Sequence, residues 1–244
     1  MRTLLLILLI LASASMADAQ GLPALQLTEG EGGTTYSLSL QILALMTALT
    51  VLPSIVLGMT AFTRIIIVLS ILRQALGTQQ TPPNQVLIAL ALFLTFFVMQ
   101  PTLSTLYTET VNPYLEGQID ADTAMAQGSA TIKDWMVRNT RQNDLLMFSE
   151  MAGVGPFAAP ADVPFPVLLP AFMTSELKTA FQIGFLLFLP FLVIDMVIAS
   201  ILMALGMMML SPMLVSLPFK LLLFVLVDGW ALTVGSLAAT YGGL

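Results

Sequence analysis

Four charged side chains interrupt the apolar last third of the sequence, and their chemistry limits what this region can do. Asp195 is the only charge between residues 179 and 210, Lys220 and Asp228 lie in the next apolar run, and Glu176 precedes both. A lone charge at the centre of a bilayer costs about 2.5–3.5 kcal/mol, so such residues face a partner, a cavity or water. Asp195 and Lys220 are therefore predicted to pair, either within one chain or between copies.

Two other kinds of chemistry compete with a structural ion pair. Asp195 and Asp228 could share a proton on adjacent helices, as in an intramembrane aspartyl protease. However, no Gly-x-Gly precedes Asp228, and Lys220 competes for one of the carboxylates. A transporter could use the charges as an ion pathway, but the sequence has no inverted repeat with matching broken helices. Both alternatives are weaker than the ion pair.

The residue types that are missing exclude most enzyme chemistry. The chain contains no cysteine and no histidine, which removes thiolate sites, disulfides and the commonest metal ligand and general base. No phosphate-binding loop, nucleophilic triad or basic nucleic-acid patch can be assembled from the remaining residues. We therefore expect no catalytic residue, no metal, no cofactor and no nucleic-acid partner.

The composition is that of a membrane protein. The 244 residues are 57% hydrophobic and 9% charged, with a mean hydropathy of +0.93, far from the balance of a soluble domain. Several apolar runs reach the roughly 20 residues that a helix needs to span a hydrocarbon core. The predicted fold is all-α, with long kinked apolar helices in hairpins and a small helical extracytoplasmic domain between them.

The first 19 residues have the pattern of a cleaved signal peptide. A positive residue and a short apolar core precede an A-x-A motif at residues 17–19, as in secretory signals. The apolar core is too short to cross the hydrocarbon layer as a helix. We expect cleavage between Ala19 and Gln20, followed by a flexible tail over residues 20–37.

A first apolar hairpin is predicted over residues 38–107. It consists of one span kinked at Pro53 and a second span over residues 86–107. Between them Arg64 and Arg73 occur without an acidic residue, before a Thr/Gln/Pro cluster that is typical of a turn. The positive-inside tendency assigns this basic turn to the cytoplasmic side.

Residues 108–178 form the polar part of the chain. They contain nine acidic residues against four basic ones, and the low basic content suits the outer side of the membrane. Asp122 is predicted to cap one helix, and Asn143 a second helix that ends before Gly153. Five prolines over residues 153–170 predict an extended connector.

A second apolar hairpin is predicted over residues 179–244. Its first run, residues 179–210, would be about 48 Å long as one helix, which exceeds the hydrocarbon thickness. A kink at Pro190 or an extension beyond the bilayer is therefore expected. A turn with three consecutive methionines, Met207–Met209, leads into a last run that reaches about residue 237.

Three stretches resemble the FliP/SctR family of type III secretion export-gate proteins. They are FTRIIIVLSILRQALGTQQTPPNQVL, FMTSELKTAFQIGFLLFLPFLVIDMVIASILMALGMMMLSP and LPFKLLLFVLVDGW. The resemblance extends from about residue 38 to residue 237, and polar and charged positions match along with the apolar ones.

The resemblance implies a non-enzymatic core subunit of the flagellar protein export gate. Such a subunit forms, with FliQ and FliR, the channel through which unfolded flagellar subunits cross the inner membrane, and FlhB and FlhA are further partners. About five copies wind into a helical cone, in contact with membrane lipids in the flagellar basal body, with residues 108–178 in the periplasm. An injectisome subunit is the alternative, but the signal peptide and the large acidic region favour the flagellar branch.

The resemblance also implies roles for individual residues. Asp195 and Lys220 match a salt bridge between neighbouring copies, and Glu176 matches a family motif position. Glu176 and Asp228 are candidates for assembly interfaces. Glu176 has the alternative role of a charge favoured near a helix N-terminus. Three turn residues are expected to form a deformable pore gasket, because methionine is unbranched and adaptable: Met207, Met208 and Met209.

Overall fold

The computed structural model is helical through the part of the chain that it describes, residues 38–78, 80–155, 157, 159–207 and 209–242, with side chains from residue 42 onward. This confirms the predicted all-α fold. Three predictions lie outside the described residues: the signal peptide with cleavage between Ala19 and Gln20, the tail over residues 20–37, and the role of Met208.

The first apolar region folds as three helices. Helix α1 covers Leu38–Gly58 and contains Pro53, α2 covers Phe62–Ala75, and α3 covers Asn84–Leu106. Helix α3 continues through a π-helical turn into a short helix α4, Asn112–Leu115. The turn between α2 and α3 is therefore shorter than predicted.

The two arginines of the predicted basic turn lie on α2, which corrects that assignment. Arg64 is in the first turn of α2 and is only 3% exposed, because the apolar residues around it bury one face of the helix. Arg73, in the last turn, donates from Nη1 to Asn84 Oδ1 at 2.6 Å and to the carbonyl of Pro82 at 3.2 Å. Arg73 thus joins the end of α2 to the start of α3.

The polar region contains helices α5, Ala121–Asn139, and α6, Gln142–Ala152. The N-cap of α5 is Asp120 rather than Asp122, since Asp120 Oδ1 accepts from the backbone N–H of Thr123 at 3.0 Å. This hydrogen bond lowers the pKa of Asp120 below its ordinary value. Asp122 lies two residues further on, in the first turn of α5, where its charge favours the helix N-terminus.

Helix α6 begins and ends close to the predicted positions. Its N-cap is Arg141 rather than Asn143, which lies inside the first turn. Gly153 follows α6 with a φ of 66°, in the left-handed conformation expected of a terminating glycine.

Helix α7, Phe165–Ala204, is 40 residues long and begins inside the predicted extended connector. Pro166 lies in its first turn, where a missing N–H is tolerated. Pro170 and Pro190 lie within the helix without ending it. The extended connector over residues 153–170 was therefore predicted too long, and a 3₁₀ turn, Pro160–Asp162, interrupts the part that remains.

The last apolar run is broken, although it was predicted as one run. Helix α8 covers Pro212–Leu226, and α9 covers Gly229–Ala239 at an angle of 64° to it. The break lies at Asp228, a non-glycine residue with a φ of 51°, a conformation that costs energy unless the surroundings impose it. The ring of Phe224 lies against Gly229 and leaves no room for a Cβ there.

The chain divides into two compact units, residues 1–54 and 55–244. In the first, the described side chains of α1 are exposed. In the second, α2 supplies the centre of the core and packs along α7, with α3 and α5 closing around them. The largest buried side chains of this core include Ile65, Leu69, Leu168 and Phe172. The domain boundaries predicted near residues 107 and 178 stay predictions.

Two helical segments are long and apolar enough to cross a membrane, Asn84–Leu115 and Phe165–Ala204. The number rises to four if two bent helix pairs each count as one span. Many large apolar side chains on these segments are exposed, including Phe93, Phe96, Phe185 and Leu186. The described part of the chain thus has the apolar surface of a membrane-embedded protein.

A glycine permits the close approach of α2 and α7. A Cβ added at Gly184 would lie 3.2 Å from Ile71 Cβ and closer still to its branch atoms. We expect Gly184→Ala to lower the melting temperature of the purified chain in detergent, because overpacking costs about 1–3 kcal/mol against a helix-propensity gain of about 1 kcal/mol.

The matched control is Gly235→Ala, because a Cβ at Gly235 meets no atom within 4 Å. This control should leave the melting temperature unchanged or raise it. Adding Ile71→Val to Gly184→Ala removes the nearest methyl group and should recover part of the loss. Identical melting temperatures for the two alanine variants would show that α2 can move away from α7 without cost.

Candidate functional site

A buried ion pair joins the start of α2 to α7. Arg64 Nε donates to Glu176 Oε2 at 3.0 Å, and Arg64 Nη2 contacts Glu176 Oε1, so that the guanidinium and carboxylate meet through two parallel contacts. Arg64 is 3% exposed and Glu176 is fully buried. Such two-point pairs are the strongest that charged side chains form, and they fix orientation as well as distance.

The end of the chain completes this arrangement, which we call the Arg64 cluster: Arg64, Glu176, Thr240 and Tyr241. The Tyr241 hydroxyl lies 2.8 Å from Glu176 Oε2 and donates to it, and the Tyr241 ring lies 3.9 Å from the Arg64 guanidinium carbon. Arg64 Nη1 donates to Thr240 Oγ1 at 3.0 Å. Burial and the nearby Glu176 carboxylate raise the pKa of Tyr241 well above its ordinary value, so the hydroxyl stays protonated and remains a donor.

A second ion pair joins α7 to α8. Lys220 Nζ lies 2.6 Å from Asp195 Oδ2, and Ser216 Oγ donates to Asp195 Oδ1 at 2.6 Å. Lys220 also donates to the backbone carbonyl of Ala75 at 3.1 Å. We call these residues the Lys220 cluster: Ala75, Asp195, Ser216 and Lys220. The pair forms within one chain here, and the expected bridge between copies stays a prediction.

Within the Lys220 cluster, the lysine ammonium group binds a backbone carbonyl at the C-terminal end of α2. Ala75 is the last residue of α2, where carbonyl groups lack intrahelical donors and a positive charge is favoured. The Lys220 side chain is almost fully buried, whereas the Asp195 side chain is 34% exposed. The ammonium group therefore depends on these acceptors, while the carboxylate keeps a solvent-accessible side.

The methionine turn links α7 to α8. Gly206 has a φ of 74°, its N–H donates to Met203 O, and the N–H of Met207 donates to Leu202 O at 2.9 Å, the pattern of a Schellman motif. Met207 is 42% exposed and Met209 is fully exposed. The turn thus satisfies the last backbone groups of α7, while the side chain of Met209 is fully exposed and that of Met207 is partly exposed.

Two of the sequence-predicted assembly residues differ in setting from what was expected. Glu176 lies in the interior of α7 and is paired with Arg64, so it is not a charge at a helix N-terminus. Asp228 is exposed at the α8–α9 break, eight residues beyond Lys220 and outside both helices. Asp195 contacts Lys220 and Ser216 instead, so the two aspartates do not form a shared-proton dyad.

Sequence reasoning missed the pairing of Arg64 with Glu176. The partners are 112 residues apart in the chain, and no local spacing connects them. The available signal was Arg64 itself, a charge within an apolar run, which needs a buried partner for the same reason as Asp195. Across the described residues, no group of three His, Cys, Asp or Glu side chains is placed to hold a metal ion.

Comparison with known proteins identifies the family of this chain. The FliP family matches residues 45–237 of this chain. The chain belongs to the FliP family. It is 81% identical over 223 residues to the flagellar biosynthetic protein FliP of Cereibacter sphaeroides, covering 91% of this chain and 74% of that protein.

More distant relatives share most of the chain. The flagellar biosynthetic protein FliP of Pectobacterium carotovorum is 54% identical over 96% of this chain and 90% of its own length. The FliP protein of Aquifex aeolicus is 46% identical over 99% of this chain and its full length. The FliP family match includes both ion pairs and the methionine turn, whereas Thr240 and Tyr241 lie beyond it.

Removing the negative charge from the Arg64 cluster should destabilise this FliP family member. Glu176→Gln leaves the buried Arg64 without a counter-charge, and breaking one side of a buried pair costs about 3–5 kcal/mol. We expect a lower melting temperature and a lower yield of the purified chain in detergent. Glu150→Gln, at an exposed position of α6, is the matched control and should have no effect. Equal melting temperatures for the two variants would show that the buried Arg64 does not need the charge of Glu176.

Proposed function

We propose that this chain is a core subunit of the flagellar type III protein export gate, forming with FliQ and FliR the channel through which unfolded flagellar subunits cross the inner membrane. The names of its relatives, flagellar biosynthetic protein FliP, support the flagellar role. Its long apolar helices support a place in the membrane. The protein acts as a conduit and not as an enzyme.

The observation that carries the proposal is the methionine turn at the end of two long apolar helices. Several large apolar side chains around this turn are exposed, including Leu205, Met209 and Leu214, and an extended exposed apolar patch marks a surface that other protein or lipid covers. When copies surround an axis, this turn becomes a ring of unbranched, polarizable side chains. Such a ring closes against ions and opens around an unfolded chain of any sequence.

The remaining parts of the proposal concern assembly and location. About five copies wind head to tail around the axis, with FliQ and FliR in the same complex and FlhB and FlhA beside it. The complex lies in the inner membrane at the flagellar basal body and contacts membrane lipids. The acidic region, residues 108–178, faces the periplasm, and the segment with Arg73 faces the cytoplasm.

The Asp195–Lys220 pair supports assembly in one of two ways. Within one chain, it holds α8 against α7 and the end of α2, and so positions the methionine turn. Between copies, the exposed side of Asp195 would accept a lysine of the neighbouring subunit. Both arrangements require opposite charges at the two positions, but they differ in which chain must carry them.

Shortening the methionines should open the closed ring. We expect Met207→Ala with Met208→Ala and Met209→Ala to raise the ion permeability of cells that express the complex, because alanine cannot fill the centre of the ring. Complex formation should be unchanged, since the turn is held by Gly206 and not by these side chains. Permeability is measured by sodium or proton leakage into the cytoplasm.

The control for this experiment replaces exposed methionines elsewhere. Met125→Ala with Met151→Ala removes two side chains that are each 76% exposed outside the turn. This control should leave permeability and motility at the level of the parent protein. Unchanged leakage in the turn variant, with the complex intact, would contradict the gasket role.

Charge exchange separates the two arrangements of the Asp195–Lys220 pair. Asp195→Lys alone brings two ammonium groups together and should block assembly. Asp195→Lys with Lys220→Asp in one chain should restore part of it, and only part, because Ala75 loses its donor. The yield of detergent-extracted complex is the measurement, and Lys178→Asp, at an exposed position of α7, is the control.

Co-expression of the two single variants gives the decisive comparison. A bridge between copies lets a chain with Asp195→Lys pair with a neighbour that carries Lys220→Asp, so a mixture regains some complex. A bridge within each chain gives no recovery in the mixture, while the double variant still recovers. Failure of the double variant as well would show that direct pairing is not required.

A further inference from the structure

We propose that this protein binds a zwitterionic phospholipid with a primary ammonium headgroup, of the phosphatidylethanolamine type, in two adjoining cavities between α3 and α5. This inference is independent of the export-gate role and concerns a different part of the chain from the methionine turn. It depends on the shape of the two cavities and on the charges at their junction.

The first cavity is mainly apolar and has a volume of about 610 Å³. Phe97, Val98 and Pro101 of α3 form one wall, and Trp135 and Tyr241 lie on the opposite side. The Trp135 and Tyr241 rings are stacked with their centroids 6.2 Å apart, and Trp135 is buried. A rigid aromatic wall facing an exposed apolar helix suits an extended hydrocarbon chain.

The position of this cavity along the chain matches the boundary of a membrane. The α3 wall belongs to the segment Asn84–Leu115, which is apolar enough to span a bilayer. The opposite wall belongs to α5, in the acidic region. A lipid in this cavity would place its acyl chain along α3 and its headgroup beside α5.

The second cavity, of about 460 Å³, adjoins the first and has more charged side chains in its lining. The two cavities share Pro101, Thr102 and Arg138, and the second adds the carboxylates of Glu109 and Asp134. One guanidinium group therefore lies at the junction, with two carboxylates on the side away from the apolar cavity. Going from the first cavity into the second, a ligand would therefore meet the apolar wall, then the cation of Arg138, and then the two carboxylates.

That order of charges matches one class of headgroup. In a phosphatidylethanolamine the phosphate lies next to the acyl part, and the ammonium group lies beyond it. Arg138 would bind the phosphate, while Glu109 and Asp134 would accept hydrogen bonds from the ammonium group. A purely anionic headgroup would meet two carboxylates with a single cation, and a choline headgroup has no N–H to donate.

Arg138 has donors left for this role. Its Nη2 contacts Asp134 Oδ2 at 2.7 Å, and its Nε donates to the Asp134 carbonyl at 3.4 Å. Both side chains are largely exposed, at 65% and 49%, so the pair stabilises the helix little and can share its charges with a ligand. A guanidinium has five N–H donors, and its Nη1 hydrogens meet no protein acceptor within the described residues.

The experiment measures lipid selectivity on the purified full chain in detergent. Synthetic phosphatidylethanolamine, phosphatidylcholine and phosphatidylglycerol with identical acyl chains are added at equal concentration. The melting temperature and the number of retained lipids, by native mass spectrometry, are recorded for each. We expect the largest rise in melting temperature and the highest retention with phosphatidylethanolamine.

Two variants test the headgroup contacts separately. Arg138→Met should reduce phosphatidylethanolamine retention by about tenfold, the loss expected for one charge-assisted phosphate contact. Glu109→Gln, at an exposed position that does not contribute to the core, should remove the preference over phosphatidylcholine while leaving the fold intact. Lys178→Met and Asp122→Asn alter exposed charges that do not line either cavity, and should change neither quantity.

Three results would overturn the proposal. Equal stabilisation by all three lipids would show a non-selective apolar surface. A preference for phosphatidylglycerol would show an anionic-lipid site and no role for the two carboxylates. Retention that is unchanged in both Arg138→Met and Glu109→Gln would show that the lipid binds elsewhere on the protein.

Discussion

The fold depends on the need to give every buried charge a partner in a chain that is mostly apolar. Two cations meet this need at opposite ends of one helix, since Arg64 lies in the first turn of α2 and Lys220 binds the carbonyl of Ala75 at its end. Their counter-charges, Glu176 and Asp195, both lie on α7. Helix α2 is therefore held at two points against α7, and neither rotation nor sliding is possible without exposing a charge to apolar surroundings.

The apolar residues bring α2 and α7 together but do not fix how the two helices align. Between the two ion pairs, Ile65, Val68 and Leu69 fill the core without any directional bond, and Gly184 removes the side chain that would hold α2 away from α7. Packing of this kind favours closeness but tolerates small changes of register. The ion pairs supply what packing lacks, because a two-point contact such as Arg64 with Glu176 accepts only one relative placement.

The sequence predicted the features that depend on local pattern. Long apolar runs gave the helices, and Gly153 gave the end of α6. The features that failed depend on contacts between distant residues or on choices between similar neighbours. Asp120 and Asp122 are equally suitable caps by residue type, and only the backbone geometry favours the first. The five prolines predicted an extended connector over residues 153–170, but α7 begins at Phe165, because a proline in the first turn of a helix costs little. Nothing local reveals the pairing of Arg64 with Glu176 or the left-handed Asp228.

Because α7 is one unbroken helix, a small change in its tilt moves its far end by a larger distance. From Glu176 to Ala204 the helix extends through 28 residues, a distance of about 42 Å, with one end fixed in the Arg64 cluster and the other carrying the methionine turn. A tilt of about 5° at the fixed end therefore displaces the turn by roughly 4 Å over that length. Such a tilt would also move Asp195, which lies 19 residues along the same helix and is paired with Lys220. The position of the methionine turn therefore depends on both ion pairs, because each one limits the tilt that the other leaves possible.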